Sequence, residues 1–212
     1  MSQENKFQQV LAVAGLSLLV GACGPLISFG DDGPADTVYA LRYDGGYPGT
    51  NSGPVVFVDE PTVAEGLKGE KVAVALDGNQ LVTIDGVRWA APVADLVRNY
   101  ITRALGHQTD AQMVGDGGLD IKSACRLGAK IWAMEFVPGA SARDDKVRVS
   151  IELSLVRMKD SMLLSKPTVA KTVTVGGKGD RAVMDAFNMA MSDVSAEMVS
   201  WFQASYRSCA EG

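Results

Sequence analysis

The chain has 212 residues, of which 47% are hydrophobic, and 20 basic against 25 acidic residues give a net charge of -5. This length and apolar content are sufficient for one domain with its own core. The acidic balance, without a clustered basic face, excludes a typical nucleic-acid-binding surface. After residue 22, no apolar segment is long enough to span a bilayer as a helix.

The N-terminus carries a short apolar run, Val10 to Ala22, that leads into Leu19-Val20-Gly21-Ala22-Cys23. The run is about half of the ~20 residues that a membrane-spanning helix needs, but it fits the apolar region of a signal peptide. Its glycines argue against the alternative of a buried core helix. The segment resembles a bacterial lipobox, which predicts cleavage between Ala22 and Cys23 and a covalent lipid on Cys23. An Asp directly after the lipidated cysteine retains bacterial lipoproteins at the inner membrane. This chain has Gly24 at that position, which favours the outer membrane as its location.

Three segments are therefore expected: a signal peptide at 1–22, a lipidated tether at 23–36 and a single domain at 37–212. If Cys23 carries lipid, Cys125 and Cys209 remain. An even pair of cysteines in an oxidising compartment favours a disulfide between them. The alternative is a pair of buried free thiols.

The first half of the domain predicts strands separated by turns. Strand candidates cover residues 37–43, 55–58, 71–76 and 80–84, and residues 44–54 form a glycine-rich loop. The sequence Asp77-Gly78-Asn79 between the last two strands predicts a hairpin.

Apolar residues then recur at three- and four-residue steps from Trp89 to Leu105, a spacing that predicts an amphipathic helix. The helix is expected to begin near Ala91, because Pro92 is tolerated only in the first turn. Gly106 is expected to end it.

The second half predicts strands at 129–137, 146–158 and 168–175, arranged as an antiparallel meander with one buried face. A long final helix follows, with Asp180 as its expected N-cap. Its apolar stripe consists of Val183, Phe187, Ala190, Met191, Val194, Met198, Trp201 and Phe202. The predicted fold class is α+β, a two-layer sandwich in which two main amphipathic helices pack on one face of a largely antiparallel sheet.

The sequence predicts no catalytic residues, no metal site and no cofactor other than the lipid on Cys23. His107 is the single histidine and is expected just past a helix end, exposed to solvent. A hydrolase triad would need a partner nucleophile and carboxylate, and no Gly-x-Ser-x-Gly motif is present. The segments Asp144-Asp145 and Gly176 to Gly179 are interpreted as turns.

Aromatic and methionine side chains can belong to the core or to a contact surface. Trp89 and Trp201 are expected in the core rather than in a lipid-binding site. Met184 and Met189 fall beside the apolar stripe of the last helix and are predicted to form an adaptable partner-binding surface.

Four local patterns, in this order, carry a resemblance to a known family. They are Tyr39-Ala40-Leu41 soon after the lipobox, Arg88-Trp89-Ala90-Ala91-Pro92 at the first helix, Phe136 at the end of a central strand, and Ala186-Phe187-Asn188-Met189-Ala190 followed by Trp201. With these features the chain resembles the ABC-type transport auxiliary lipoproteins of the PqiC and YmbA type.

The resemblance implies a supporting role rather than a reaction. Such lipoproteins accompany an ABC permease and ATPase and an MCE-domain protein, which together move lipids between the inner and outer membranes. This chain would then be lipid-anchored in the inner leaflet of the outer membrane, facing the periplasm, as a docking or structural partner and possible homo-oligomer. Two alternatives stay open: a lipid-binding carrier with its own apolar cavity, and an envelope hydrolase.

Overall fold

We describe residues 35–115 and 121–210 of a computed structural model. Ten strands in these residues form one mixed sheet: β1 (Thr37–Tyr39), β2 (Val55–Val58), β3 (Thr62–Val63), β4 (Lys71–Leu76), β5 (Gln80–Trp89), β6 (Gln112–Val114), β7 (Cys125–Val137), β8 (Lys146–Arg157), β9 (Met162–Ser165) and β10 (Thr168–Thr174). The helices are α1 (Val93–Gln108) and α2 (Asp180–Ser205), with 3-10 turns at Asp77–Asn79 and Tyr206–Cys209.

The long antiparallel pair β7–β8 forms the centre of the sheet and runs from Cys125 opposite Arg157 to Val137 opposite Lys146, with one shift of register between Ile131 and Ala133. Along its other side, β7 pairs in parallel with β2, then β3, then β4. β10 and β9 pair antiparallel with β8, on the side away from β7. The sheet is therefore more mixed than predicted, because the short early strands pair in parallel.

The predicted α+β sandwich is confirmed. β7, β8 and β10 are neighbours in the predicted order, and the hairpin at Asp77–Asn79 forms with Gly78 at a φ of 75°. Both helices cover the apolar face of the sheet, and the Trp89 ring meets the edge of Phe187 at 5.2 Å between centroids. The short strand β9 was not predicted.

Helix α1 begins later and ends later than the sequence predicts. Val93 is its first residue, and Trp89 belongs to the end of β5 rather than to the helix. Gly106 does not end the helix, because it serves packing: a Cβ there would lie 3.0 Å from Cγ of Pro48. The end comes at Thr109, whose backbone N–H and hydroxyl both donate to the carbonyl of Leu105.

The start of α2 also differs by one position from the prediction. Gly179, at a φ of 79°, is the N-cap, and Asp180 is the first helical residue. That backbone conformation favours glycine over a side chain that would cap. Asp180 still places a carboxylate in the first turn, where the helix dipole favours negative charge.

Candidate partner-binding surface

The outer face of the sheet, opposite the helices, presents rows of charged side chains. On β7 and β8 the alternation of side chains sends the aliphatic residues inward and their neighbours outward. Outward residues pair across the strands: Glu135 accepts from Arg148, and Lys130 lies opposite Glu152. This face therefore consists of compensated charges, on which an apolar side chain stands out.

Trp132 is that side chain, and it lies on the outward phase of β7 at a β-bulge. The register of β7 and β8 shifts between Ile131 and Ala133, so Trp132 is the extra residue. Its side chain is 46% exposed. The extra residue of a bulge is left without a partner in the ladder, and tryptophans are over-represented among the residues that dominate binding energy at interfaces.

Neighbouring charges hold the Trp132 ring in one orientation. The ammonium of Lys130 lies 3.6 Å from the ring centroid, a cation–π contact. Glu152 binds Lys166 with 3.0 Å between Nζ and Oε1. The hydrogen bond from Lys166 lowers the pKa of Glu152, which lies opposite Lys130. The cation–π contact with Lys130 restrains the indole, which reduces the side-chain entropy that binding a partner would cost.

A groove of about 320 Å³ runs beside Trp132. Leu76 and Leu81, at the β4–β5 hairpin, form part of its apolar wall, and both are more than one third exposed. The ion pair of Glu135 and Arg148 lies at its charged end. The groove is therefore suited to a segment with an apolar side chain next to a polar one.

A second groove, of about 300 Å³, opens on the helix side of the sheet at the start of α2. Its apolar lining consists of Val74, Ile84, Phe136, Val175 and Val183. The first turn of α2 closes one end. Phe136, expected at the end of a central strand, thus lines a groove.

The C-terminal 3-10 turn is tied to the start of β7. The structure pairs Cys125 with Cys209, with Cα atoms 5.5 Å apart, in the range of disulfides. Nearby, Tyr206 stacks on Phe202 at 5.0 Å between centroids and donates to Asp110. The hydrogen bond to that carboxylate raises the pKa of Tyr206. Formation of the disulfide in the cell stays a prediction.

His107 lies in the last turn of α1, not past the helix end as predicted, because the helix continues through Gly106. Its Nδ1 is 3.0 Å from the hydroxyl of Tyr43, which also accepts from Gln108. In the described residues this is the one hydrogen bond recorded for its ring. The geometry is that of a contact holding the glycine-rich loop to α1.

The two methionines predicted as a partner surface are separated by the structure. Met184 is 2% exposed and lies in the core, so its assignment to a surface is wrong. The buried arc of α2 is wider than the predicted stripe, because the helix packs against the sheet and α1 together. Met189 is 47% exposed and stays a candidate.

The two tryptophans expected in the core differ in how deeply they are buried. Trp89 is almost fully buried, as predicted. Trp201 is partly buried against the core, and its indole N–H donates to the hydroxyl of Ser165 at 2.9 Å. Trp132 was not singled out, although it lies on the outward phase of a strand in which Leu127 and Ile131 point inward.

The predicted cleavage site at Ala22 and lipidation site at Cys23 lie outside the described residues. Within residues 35–115 and 121–210, no helix is long and apolar enough to cross a membrane. The same residues contain no group of three or more His, Cys, Asp or Glu side chains that could hold a metal ion.

Comparison with known proteins adds a family and a fold. A family model described as "ABC-type transport auxiliary lipoprotein component" matches residues 44–199. Among solved structures, a Xanthomonas campestris protein described under DUF330 is similar at 19% identity and a TM-score of 0.66, covering 78% of this chain and 94% of that protein. A protein described only as uncharacterized is similar at 16% identity and a TM-score of 0.64, covering 80% and 99%. None of the curated proteins matches the chain.

Proposed function

The chain belongs to the family of ABC-type transport auxiliary lipoprotein components, and from this membership we propose that it docks a transport assembly at the outer membrane. The partners in this proposal are an MCE-domain protein and the ABC permease and ATPase of the same system, and the cargo is lipid. The role is to hold and position partners rather than to catalyse a reaction.

The anchor in this proposal is the lipid on Cys23. A single acyl chain gives only marginal membrane binding, so the several chains of a bacterial lipoprotein are what make attachment stable. The chain would face the periplasm from the inner leaflet of the outer membrane. A Cys23→Ala form is expected to lose attachment to the membrane fraction and, with it, function. Full function without the anchor would contradict the proposal.

Trp132 is the observation that supports a docking role. A large aromatic side chain in a cation–π contact with Lys130, exposed beside a partly apolar groove, fits the pattern of an interface residue. The ion pairs around it resemble the polar rim that surrounds such residues in protein interfaces.

A pull-down from detergent-solubilised envelope tests the proposal. The full-length protein is expected to enrich an MCE-domain protein or an ABC component, and Trp132→Ala should reduce that enrichment. Tyr47→Ala is the matched control, because Tyr47 is also an exposed aromatic residue, at 80% exposure, but lies on the loop near α1. If no such partner is enriched, or if both variants lose it equally, the proposal fails.

The groove at the start of α2 favours a second candidate, a carrier that binds lipid itself. Its lining is mostly apolar, but about 300 Å³ is at the lower end of ligand pockets. Mass analysis of extracts from the Cys23→Ala protein separates the two functions. A co-purifying lipid that is lost in Val183→Glu would support the carrier, and an extract without lipid would exclude it.

A further inference from the structure

Glu135 is the one acidic residue of the described chain, residues 35–115 and 121–210, that is almost fully buried, at 7% exposure. It lies on the outer face of β7, and Arg148 of β8 is its partner in the ladder. Both nitrogens of Arg148 that reach the carboxylate, Nε and Nη2, donate to the same oxygen, Oε1. An arginine that binds a carboxylate as a fork uses both oxygens. The pair therefore balances the charge of Glu135 but leaves its second oxygen, Oε2, unused.

This second oxygen is an acceptor open to the groove beside Trp132. Within the described residues no donor is recorded for Oε2, and the atom is not fully enclosed. Glu135 lines the groove of about 320 Å³, so a molecule in the groove can reach it. Water can satisfy the oxygen in the free protein. A ligand that displaces this water has to bring a donor of its own.

Large apolar side chains form much of the remaining wall of the groove. Leu67, Leu76 and Leu81 line it together with Trp132. Leu81 has a defined seat, because Gly66, at a φ of 84°, carries no side chain and a Cβ there would overlap Cδ2 of Leu81. The groove therefore fits a side chain with a flat apolar body and one hydrogen-bond donor.

The charges at the groove favour a neutral donor. A lysine or arginine from a partner would lie beside the guanidinium of Arg148, which already balances Glu135. A carboxylate would lie beside Glu135 and Glu65, which both line the groove. Like charges brought together at an interface oppose association. Tyrosine combines an apolar ring with a neutral hydroxyl at its far end, and a buried tyrosine hydroxyl usually finds a hydrogen-bond partner.

We propose that the groove beside Trp132 binds a tyrosine side chain of a partner protein, with the ring against Leu76 and Leu81 and the hydroxyl donating to Oε2 of Glu135. Tyrosine and tryptophan are both enriched among the residues that dominate interface energy, and such residues tend to pair across an interface. The inference rests on the proposed function for the existence of a partner, and it states which side chain of that partner binds.

A second copy of this chain fits the groove less well. Tyr47 is the one exposed tyrosine of the described residues, at 80% exposure. The guanidinium of Arg103 lies over its ring, 4.7 Å from the centroid. Entry of Tyr47 into the groove of another copy would carry Arg103 toward Arg148, and these like charges oppose the contact. The groove therefore favours a tyrosine without a neighbouring cation.

Fluorine NMR of the full lipidated protein in detergent, labelled with fluorotryptophan, tests this inference. The probes are the N-acetyl amides of tyrosine, phenylalanine and arginine. The tyrosine amide should shift the signal of Trp132, identified by its loss in Trp132→Phe, and leave that of the buried Trp89 unchanged. The phenylalanine amide should bind about tenfold more weakly, because its ring covers Oε2 of Glu135 without a donor. The arginine amide should also bind more weakly than the tyrosine amide.

Two matched substitutions locate the acceptor. Glu135→Gln keeps the shape of the side chain but removes its charge. Charge-assisted hydrogen bonds are about twice as strong as neutral ones, so the preference for tyrosine over phenylalanine should fall from about tenfold to about threefold. Glu65→Gln changes the other carboxylate of the groove and should leave the preference at about tenfold. An unchanged Trp89 signal shows that each variant is folded.

Equal binding of the tyrosine and phenylalanine amides, stronger binding of the arginine amide, or equal effects of the two glutamine variants would overturn the inference. So would assembly of copies in sedimentation that Tyr47→Phe abolishes, because the occupant would then be this chain. The titration uses no transport component. A tyrosine preference without a partner in the envelope pull-down would remove the proposed function alone, and a partner without a tyrosine preference would remove the inference alone.

Discussion

Removal of the predicted disulfide is the perturbation whose cost the structure defines most closely. Cys125 is the first residue of β7 and fully buried, and Cys209 closes the 3-10 turn after α2. The two are separated by 84 positions in the chain. The enclosed segment holds β7 to β10 and all of α2, which is most of the core. We consider the double variant Cys125→Ala with Cys209→Ala.

The size of the effect follows from the length of the enclosed loop. In the chain-entropy model, closing a loop of this length stabilises the folded state by about 4.5 kcal/mol, and measured values are commonly ~2–4 kcal/mol. A single domain is stable by about 5–15 kcal/mol in total. The variant should therefore remain folded at 25 °C but lose a large fraction of its stability. The C-terminal turn should open first, since the contacts of Tyr206 to Phe202 and Asp110 and the hydrogen bond from Arg157 to the carbonyl of Ser208 would have to hold it without the covalent bond.

Urea unfolding, followed by fluorescence, measures this loss. The double variant should unfold at a lower urea midpoint, and adding reductant should lower the midpoint of the unaltered protein but not that of the variant. Mass analysis under non-reducing conditions checks the bond itself. Two free thiols in protein from the periplasm, or a stability loss below about 1 kcal/mol, would show that no disulfide between Cys125 and Cys209 stabilises the fold.

Further changes separate core from surface. Trp89→Ala should cost about 3–5 kcal/mol in urea unfolding, whereas Trp132→Ala should stay within about 0.5 kcal/mol; similar losses would contradict the assigned faces. Met184→Glu should destabilise by about 3 kcal/mol or more, because it buries an unpaired charge; a neutral result would mean that the side chain is exposed. The hydrogen bond from Arg157 lowers the pKa of Asp160 from 3.8 to about 2. Asp160→Asn should therefore destabilise at pH 7, and the difference from the unaltered protein should vanish as the pH falls from about 4 to about 2; a difference that persists at pH 2 would contradict this.

The helices and strands with a strong hydrophobic periodicity were predictable from the sequence. Apolar residues at three- and four-residue spacing predicted both helices. Alternation of apolar and polar residues predicted β8 and β10, because one face of each strand is buried. The hairpin at Asp77–Asn79 followed from residues that tolerate positive φ, and both Gly78 and Asn79 adopt it. What these elements share is that local chemistry and tertiary packing favour the same conformation.

Features set by long-range packing could not be predicted. Gly106 has the residue type of a helix end, yet it is used for close contact with Pro48 on a distant loop. β9 has four residues without a clear period and exists because β8 continues beyond β10. Met184 is buried by the particular angle at which α2 meets its neighbours.

The candidate surface was missed for the same reason. Most residues of β7 are apolar, so the sequence favours a position in the core for a tryptophan in this strand. Alternation with the inward residues Leu127 and Ile131 already places Trp132 outward. The bulge at Ile131/Ala133 then shifts the phase of the rest of the strand, and bulges depend on pairing with β8, which sequence alone does not fix.

The most direct test of the docking role is site-specific cross-linking in living cells. A photoreactive phenylalanine replaces Trp132 in one strain and Tyr47 in a control strain, and cross-linked partners are identified by mass spectrometry. We expect the Trp132 position to capture an MCE-domain protein or an ABC component of the same system, and the Tyr47 position not to. Equal capture from both positions, or no transport component from either, would rule out docking through Trp132.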